Sequence, residues 1–463
     1  MRRGLLAAAA LCIAFAVFAL RPHPTPGPFL RDFEAYWSAG ATWNAHADPY
    51  GRAIWDAERT IAGVDANRAE LLPFVGPPPS LLMWSALARL PYATAAALWA
   101  CVLGVALAAL VAGVTLAGGA PRAFSILGGL ALALACGPVT SDLALGQLAL
   151  PAFAAATFAM LLAARSLTGA TLAACIAFTQ PNAAAGLSSQ LGRNRETLAV
   201  VLGALAFYAL GALLAGPGWP VDYARIAAAH LAAERFDAIQ LTPASIAFGF
   251  GAGAWQANLA GIAFASCAIA AAIALYVSVR DRFACFAAFS ALMPLAAAFV
   301  HEHDLVTAYA AALWCALRTR GTTRVLALAA TLLLCVDWLG LAQRPSGIPQ
   351  SALLALAALA SFAALGRADE LRGAAIVAPA FAALFIFMAW LAGQHPVPIW
   401  PDAMQSFHVP VAGSAAAIWS REQRAAGLFA AVPAWALLRS LSLLGCALLA
   451  YAIYRHRAYY RTA

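Results

Sequence analysis

The sequence predicts an all-α, polytopic integral membrane protein, and three observations carry that prediction. Of the 463 residues, 63% are apolar, and the mean hydropathy is +0.79. Charged residues make up only 10% of the chain, against about 25% in an ordinary soluble domain. Apolar runs of helical length alternate with short polar turns along the whole sequence. A soluble chain of this length would divide into about three domains, each with a charged surface, and too few charges are present to cover them. Soluble enzymes, nucleic-acid binders and disordered chains are thereby excluded. What remains is a chain whose surface meets mostly lipid.

The elements follow in order. Met1-Arg2-Arg3 precedes an apolar run, Gly4 to Leu20, that ends without an A-x-A cleavage site. It reads as an uncleaved first transmembrane helix with its N-terminus on the positive, cytoplasmic side. The longest polar stretch comes next, within a first extracytoplasmic loop spanning 21–92. It carries seven of the chain's twenty acids (Asp32, Glu34, Asp48, Asp56, Glu58, Asp65 and Glu70) together with Trp37, Trp43 and Trp55. Pro77-Pro78-Pro79 opens a short apolar segment, Ser80 to Leu90, expected as a juxtamembrane helix. Further spans are expected at about 93–117, 124–138, 146–164, 168–179, 183–191, 197–215, 255–279, 283–300, 305–317, 325–341, 351–365, 374–393 and 428–453. The pair 168–179 and 183–191 is broken at Gln180-Pro181-Asn182, where neighbouring helices would satisfy the freed backbone groups.

Charge distribution sets the topology. The 28 basic residues are all Arg. Alternating the spans puts Arg122, Arg165, Arg193/Arg195, Arg280/Arg282, Arg318/Arg320/Arg324, Arg367/Arg372 and Arg455/Arg457 on one side, the cytoplasmic side by the positive-inside rule. The expectation is about 14 helices in one domain, 1–463, with both termini inside. The outer face then holds 21–92, 139–145, 180–182, 216–254, 301–304, 342–350 and 394–427, and nearly every Asp, Glu and His. The stretch Val221 to Phe236 reads as an interfacial amphipathic helix, with Asp222, Arg225, His230, Glu234 and Arg235 as its polar part. Heavy Ala and Gly usage with no Lys fits a GC-rich bacterial coding sequence, so the expected site is a bacterial inner membrane. The nine Cys all lie in apolar stretches without a CxxC, so they read as small buried residues rather than a disulfide or metal framework.

Chemistry can sit in four places on that outer face. In Arg31-Asp32-Phe33-Glu34-Ala35-Tyr36-Trp37, a carboxylate lies near the membrane surface among aromatics. Such a group can be partly desolvated and poised as a base; a solvated loop acid is the other reading. His301-Glu302-His303-Asp304 sets four titratable residues between apolar helices, either for phosphate contact or as a structural turn. Its H-x-H pattern has no indicated third and fourth metal ligand. Gly146-Gln147 opens a helix, where Gln147 could bond a sugar hydroxyl or cap the loop. Gln180-Pro181-Asn182 marks a broken helix, which exposes backbone donors and acceptors near a cavity or simply kinks. Arg225, His230 and Arg235 could meet a lipid phosphate or face solvent. No P-loop, HExxH or GxSxG is present.

Taken in order, these segments resemble glycosyltransferase family 87, GT-C class enzymes that use polyprenyl-phosphate sugars, typically mannose. Asp32-Phe33-x-x-Tyr36-x-x-x-Gly40 with Asp48-Pro49-Tyr50 is similar to the family's opening D-F-x-x-Y and G-x-D-P-Y pattern. Phe74 to Pro79 followed by Leu81 is similar to its Y-P-P helix start, and Gly146-Gln147 to its G-Q helix start. Gly169 to Pro181 is similar to its short helix ending in Lys-Pro, with Gln180 in place of the Lys. Gln240 to Ser245 loosely matches its N-Q-S segment, and His303-Asp304 its late histidine. The resemblance implies an inverting transferase with Asp32 as general base. Arg31, Arg225, His301 and His303 would meet the donor's phosphate. Glu34, Tyr36, Gln147 and Gln180 would contact substrate. It implies no cofactor and no metal. The partners would be a polyprenyl-phosphate sugar donor, a lipid or glycan acceptor, and membrane lipids. Two other classes stay open: a transporter or flippase of a lipid-linked glycan, and a polyprenyl-linked polysaccharide polymerase or ligase. A transporter should place ionisable residues at mid-membrane depth, where only a few, such as Asp337 and Arg439, fall.

Overall fold

The structure is a computed structural model, and it describes residues 2–20, 30–62, 72–119, 122–334, 347–366, 371–396 and 413–457. Expectations for Asp65, Glu70, Cys335, Asp337 and Arg367, and for residues 342–346 and 397–412 of the two last outer loops, lie outside these residues. Every regular element among the described residues is helical. In chain order they are α1 (Arg2–Ala19), α2 (Phe33–Asn44), α3 (Ala53–Glu58), α4 (Leu81–Leu87), α5 (Tyr92–Ala117), α6 (Ala123–Ala135) and α7 (Gly137–Leu145). Then come α8 (Ala149–Leu162), α9 (Leu167–Ala177), α10 (Pro181–Ala184), α11 (Arg195–Ala215), α12 (Trp219–Glu234), α13 (Pro243–Gly249) and α14 (Ala254–Ser278). The last are α15 (Arg282–Ala296), α16 (Val306–Arg318), α17 (Gly321–Leu334), α18 (Gly347–Leu365), α19 (Leu371–Gln394), α20 (Ala415–Ala425) and α21 (Pro433–His456).

Among the described residues, six helices are long and apolar enough to cross a membrane: α1, α5, α11, α14, the Val377–Gln394 part of α19, and α21. Together α6 and α7 make a seventh, bent by 77° at their junction. Cys136 breaks the pair by going extended, and Gly137-Pro138 starts the second helix. About fourteen spans are therefore not reached among the described residues. Part of the reason is that apolar composition marks burial in protein as well as contact with lipid. In α16 every residue from Val306 to Ala316 is buried. Its 13 residues rise only about 20 Å, short of a bilayer core of about 30 Å. Two expected elements change character. The 139–145 loop is helical, as part of α7, and the 183–191 span is one α turn followed by the 3-10 turn Ala185–Gln190.

The Arg-bearing turns gather at shared ends of the bundle. Arg195 Nη1 donates to the Ala164 carbonyl at 3.4 Å, so the two flanks of the broken segment return to the same side. Arg282 ion-pairs with Glu196, and the Arg193 guanidinium lies over the Tyr276 ring at 5.3 Å. Elsewhere Arg318 Nη2 donates to the Ala117 carbonyl at 3.5 Å, and Arg324 donates to the carbonyls of Ala316 and Phe362. Arg195, Arg318 and Arg324 thereby donate to carbonyls at or near the ends of helices.

The opposite ends carry a second, aromatic core. Phe33, Trp84, Tyr92 and Trp99 pack around the start of α2, with Phe33 and Trp99 stacked at 6.1 Å. Such aromatic pairs are each worth about 0.5–1.5 kcal/mol beyond their buried area. Tyr92 donates to the Leu30 carbonyl at 3.0 Å, and Trp99 Nε1 to the Gly146 carbonyl at 2.8 Å. These two bonds fix the 30–33 turn against the 145–148 turn.

Candidate functional site

Those two turns make one wall of a cavity of about 730 Å³. That volume is within the usual range for small-ligand sites, roughly 300–1,000 Å³. The Asp32 amide donates to the Leu145 carbonyl at 2.9 Å, which places its side chain beside Gln147. Gln147 Nε2 donates to Asp32 Oδ2 at 2.6 Å, and Gln147 Oε1 accepts from the Tyr36 hydroxyl at 2.5 Å. The Tyr36 ring in turn stacks on Trp84 at 4.5 Å and 7°. Burial, and then the Asp32 charge, push the Tyr36 phenol well above its ordinary range, so it remains a donor. A packed aromatic therefore orients an amide, and the amide orients a carboxylate.

The Gly146 turn permits this. It adopts φ +80°, and its backbone passes so close to Leu30 and Phe33 that a side chain would collide with both. Asp142 holds the turn from below. Its carbonyl accepts from the Gly146 and Gln147 amides at 2.9 and 3.0 Å, and its Oδ2 accepts from the Leu150 amide at 2.9 Å.

The broken helix meets the His-rich turn on another wall. Gln180 Nε2 donates to Asp304 Oδ1 at 2.9 Å, and the His301 amide donates to Asp304 Oδ2 at 2.9 Å. Asn182 Nδ2 donates to the Phe299 carbonyl at 2.9 Å. The role expected of Gln180 as a substrate contact is thus joined to a structural one.

A third wall comes from α12 and α20. Glu234 Oε2 lies 2.8 Å from His301 Nε2 and accepts from Gln240 Nε2 at 2.7 Å; its Oε1 accepts from the Trp419 indole. Burial alone would raise the Glu234 carboxyl, but the His301 charge and three donors outweigh it and hold it below the usual carboxylate range. Burial alone would lower His301, but the Glu234 charge and hydrogen bond, with Asp304 and Asp32 behind them, raise it to about 9. His303, its ring 5.3 Å from that of His301, goes the other way. Burial lowers it, with the His301 charge adding to the effect against the pull of Asp304. The surroundings thus favour the charged form of His301 and the neutral form of His303.

Of the residues expected from sequence, Arg31, Asp32, Tyr36, Gln147, Gln180, His301 and His303 all line this cavity. Two do not. Glu34 is fully buried in α2 and away from the cavity wall. Arg225 pairs with Asp222 at 3.0 Å on the outer side of α12, with 76% and 65% of their side chains exposed. Residues 225 and 234 lie about 180° apart on a helix that turns 100° per residue, so α12 can present only one of them to the site. Sequence reading places Asp304 in the candidate 301–304 turn and Gln240 in the 240–245 segment without giving either a role, takes Glu234 only as a polar residue of an amphipathic helix, and does not single out Trp419. A Glu on the buried stripe of α12 was the available signal for Glu234. Trp419 is more than a hundred residues distant from its partners in sequence, and no pattern announces it. Among the described residues, no group of three or more His, Cys, Asp or Glu is arranged to hold a metal ion.

Fold and site together define an α-helical chain with membrane-length apolar helices and a largely apolar cavity, carrying a cluster of polar side chains, where several helix ends converge. Comparison with protein-family models, curated proteins and solved structures finds no match to this chain.

Proposed function

We propose that the protein is an inverting, GT-C-like glycosyltransferase that moves a sugar, mannose in the first instance, from a polyprenyl-phosphate donor to a lipid or glycan acceptor. The observation that carries the proposal is the constellation at the cavity. Asp32 is held by the Gln147–Tyr36 relay in the same chamber as Arg31 and the raised imidazole of His301. Asp32 takes the proton of the acceptor hydroxyl as that oxygen attacks the anomeric carbon. The bond from that carbon to the phosphate oxygen breaks with its electron pair, and polyprenyl phosphate leaves from the opposite face. A phosphate leaves as an anion and needs a cation rather than a proton to receive it. His301 and Arg31 supply that charge. Holding two membrane-anchored substrates in line provides much of the acceleration.

The Arg-turn ends lie cytoplasmic by the positive-inside rule, and the cavity faces the extracytoplasmic side of a bacterial inner membrane. The shorter apolar helices α8, α9, α15, α17 and Ala352–Leu365 complete the multi-pass domain. The flippase reading is less well served. Arg439, deep in α21, donates to the Gln240 carbonyl at 2.9 Å and to Ser245 Oγ at 3.2 Å, a structural clamp rather than a station on a path.

The test is transfer of radiolabel from polyprenyl-phosphate mannose to candidate lipid and glycan acceptors by the purified protein. Asp32→Asn should cut transfer by about 10²–10⁴-fold, the usual worth of a general base, while the protein still inserts and folds. Full activity in that variant overturns the assignment of the base. Failure of the wild type to bind or consume any donor of this class overturns the function.

A further inference from the structure

Glu234 is 3% exposed, and its two oxygens are engaged from three separate segments of chain. The Gln240 amide cannot be turned around, because its Oε1 accepts from the Val300 amide at 3.0 Å. Its Nε2 therefore donates, and it lies 2.7 Å from both Glu234 Oε2 and His301 Nε2; a proton on His301 Nε2 completes the 2.8 Å contact with the same Glu234 oxygen. His301 is thus fixed at two points: its backbone amide on Asp304 and its ring on Glu234. The ring still keeps 22% of its surface and lines the cavity.

We propose that Glu234 is a positioning residue that holds His301 as a fixed imidazolium, and that this cation receives the phosphate of the lipid-linked donor. The proposal rests on the transferase reading for the identity of the anion, but not for the charge on His301. The titratable groups facing His301 are Glu234 from α12, Asp304 and His303 from its own turn, and Asp32 from the start of α2. Glu234 exerts the largest pull of these and is the one bonded to the ring. A raised imidazolium is a weak acid, so it stays charged through neutral pH and acts by charge instead of giving up its proton. That suits a leaving group that departs as an anion. The Glu234–Trp419 bond places part of this control on α20, far from His301 in sequence.

The experiment uses the full-length protein in detergent. Diethyl pyrocarbonate modifies only neutral imidazole, and peptide mass spectrometry reads each His separately, with exposed His46 as the internal reference. His301 in the wild type should reach half-maximal labelling near pH 9. In Glu234→Gln the midpoint should fall to the ordinary value of about 6.5 or below. At pH 8 the charged fraction then drops from about nine-tenths to about one-thirtieth. Farnesyl phosphate, a short polyprenyl phosphate, is the binding probe. Its affinity at pH 8 should fall about tenfold or more in Glu234→Gln, the loss shrinking below pH 6. Trp419→Phe, which removes one donor to Glu234 but no charge, provides a second variant and should move the midpoint in a smaller step. Wild-type thermal stability in each variant checks the fold. An unmoved His301 midpoint in Glu234→Gln overturns the proposal, and so does a farnesyl phosphate affinity equal to that of the wild type at pH 8. If the wild type transfers no sugar but its His301 and farnesyl phosphate behave as stated, the transferase reading falls and the role of Glu234 stands. Transfer with an unmoved midpoint means the reverse.

Discussion

Gly146→Ala probes how the turn beside Asp32 is built. Gly146 sits at φ +80° and ψ 35°, a left-handed conformation that costs a residue with a side chain about 1–2 kcal/mol. The new Cβ would also come within 2.8 Å of Leu30 Cβ and 3.1 Å of Phe33 Cβ. Both atoms are bonded to backbone and cannot swing aside, so the 30–33 turn must move, adding roughly 1–3 kcal/mol of overpacking. The expected destabilisation is about 2–5 kcal/mol from these two contributions. Gly104→Ala is the control. It lies within α5, nothing stands within 4 Å of its added Cβ, and helix propensity favours the change by up to about 1 kcal/mol. Thermal unfolding in detergent should show a clearly lower midpoint for Gly146→Ala and an unchanged or higher one for Gly104→Ala. Asp32 lies between the two displaced residues, so donor transfer should fall as well. A Gly146→Ala protein that melts with the wild type refutes the reasoning about this turn.

Four further outcomes follow from the geometry. Gln147→Leu removes a charge-assisted bond to Asp32, worth about 1.5–3 kcal/mol, and should slow transfer by roughly 10–150-fold at that exchange rate. Tyr36→Phe should cost less alone and almost nothing more in the Gln147→Leu background, because Tyr36 acts on Asp32 only through Gln147; additive losses in a double-mutant cycle would contradict the relay. Arg225→Ala should change donor binding and stability little, since an exposed pair contributes about 0–1 kcal/mol; a large loss of donor affinity on titration would restore Arg225 to the site. Arg439→Met takes one donor from each of the buried carbonyls at 237 and 240, which keep the Gln240 amide and the Ser245 hydroxyl, and should destabilise the protein by about 1–3 kcal/mol, measured as a fall in the thermal midpoint.

By itself the sequence determined the solvent and the polarity of this protein. Scarce charge excluded water as the main environment, and the separation of Arg turns from acids and histidines marked two faces. Local motifs were legible for a local reason. Gln147, Gln180, His301 and His303 stand where apolar runs end, and Asp32 and Tyr36 in the polar stretch after the first run; such boundaries are visible in one dimension. The expected span count is not reached among the described residues where composition has two causes: the apolar segments of α16 and 183–191 owe their character to burial inside protein and a broken chain, with no membrane-length helix behind either. Only the tertiary structure decided which polar groups meet. Arg225 and Glu234 share one amphipathic helix, yet its turn of 100° per residue sends them to opposite sides. The bonds that set the charge of His301 come from α12, the 237–245 loop and α20, segments brought together by packing alone. A side chain's charge state depends on what surrounds it in three dimensions, and those surroundings are long-range contacts that no pattern along the chain encodes.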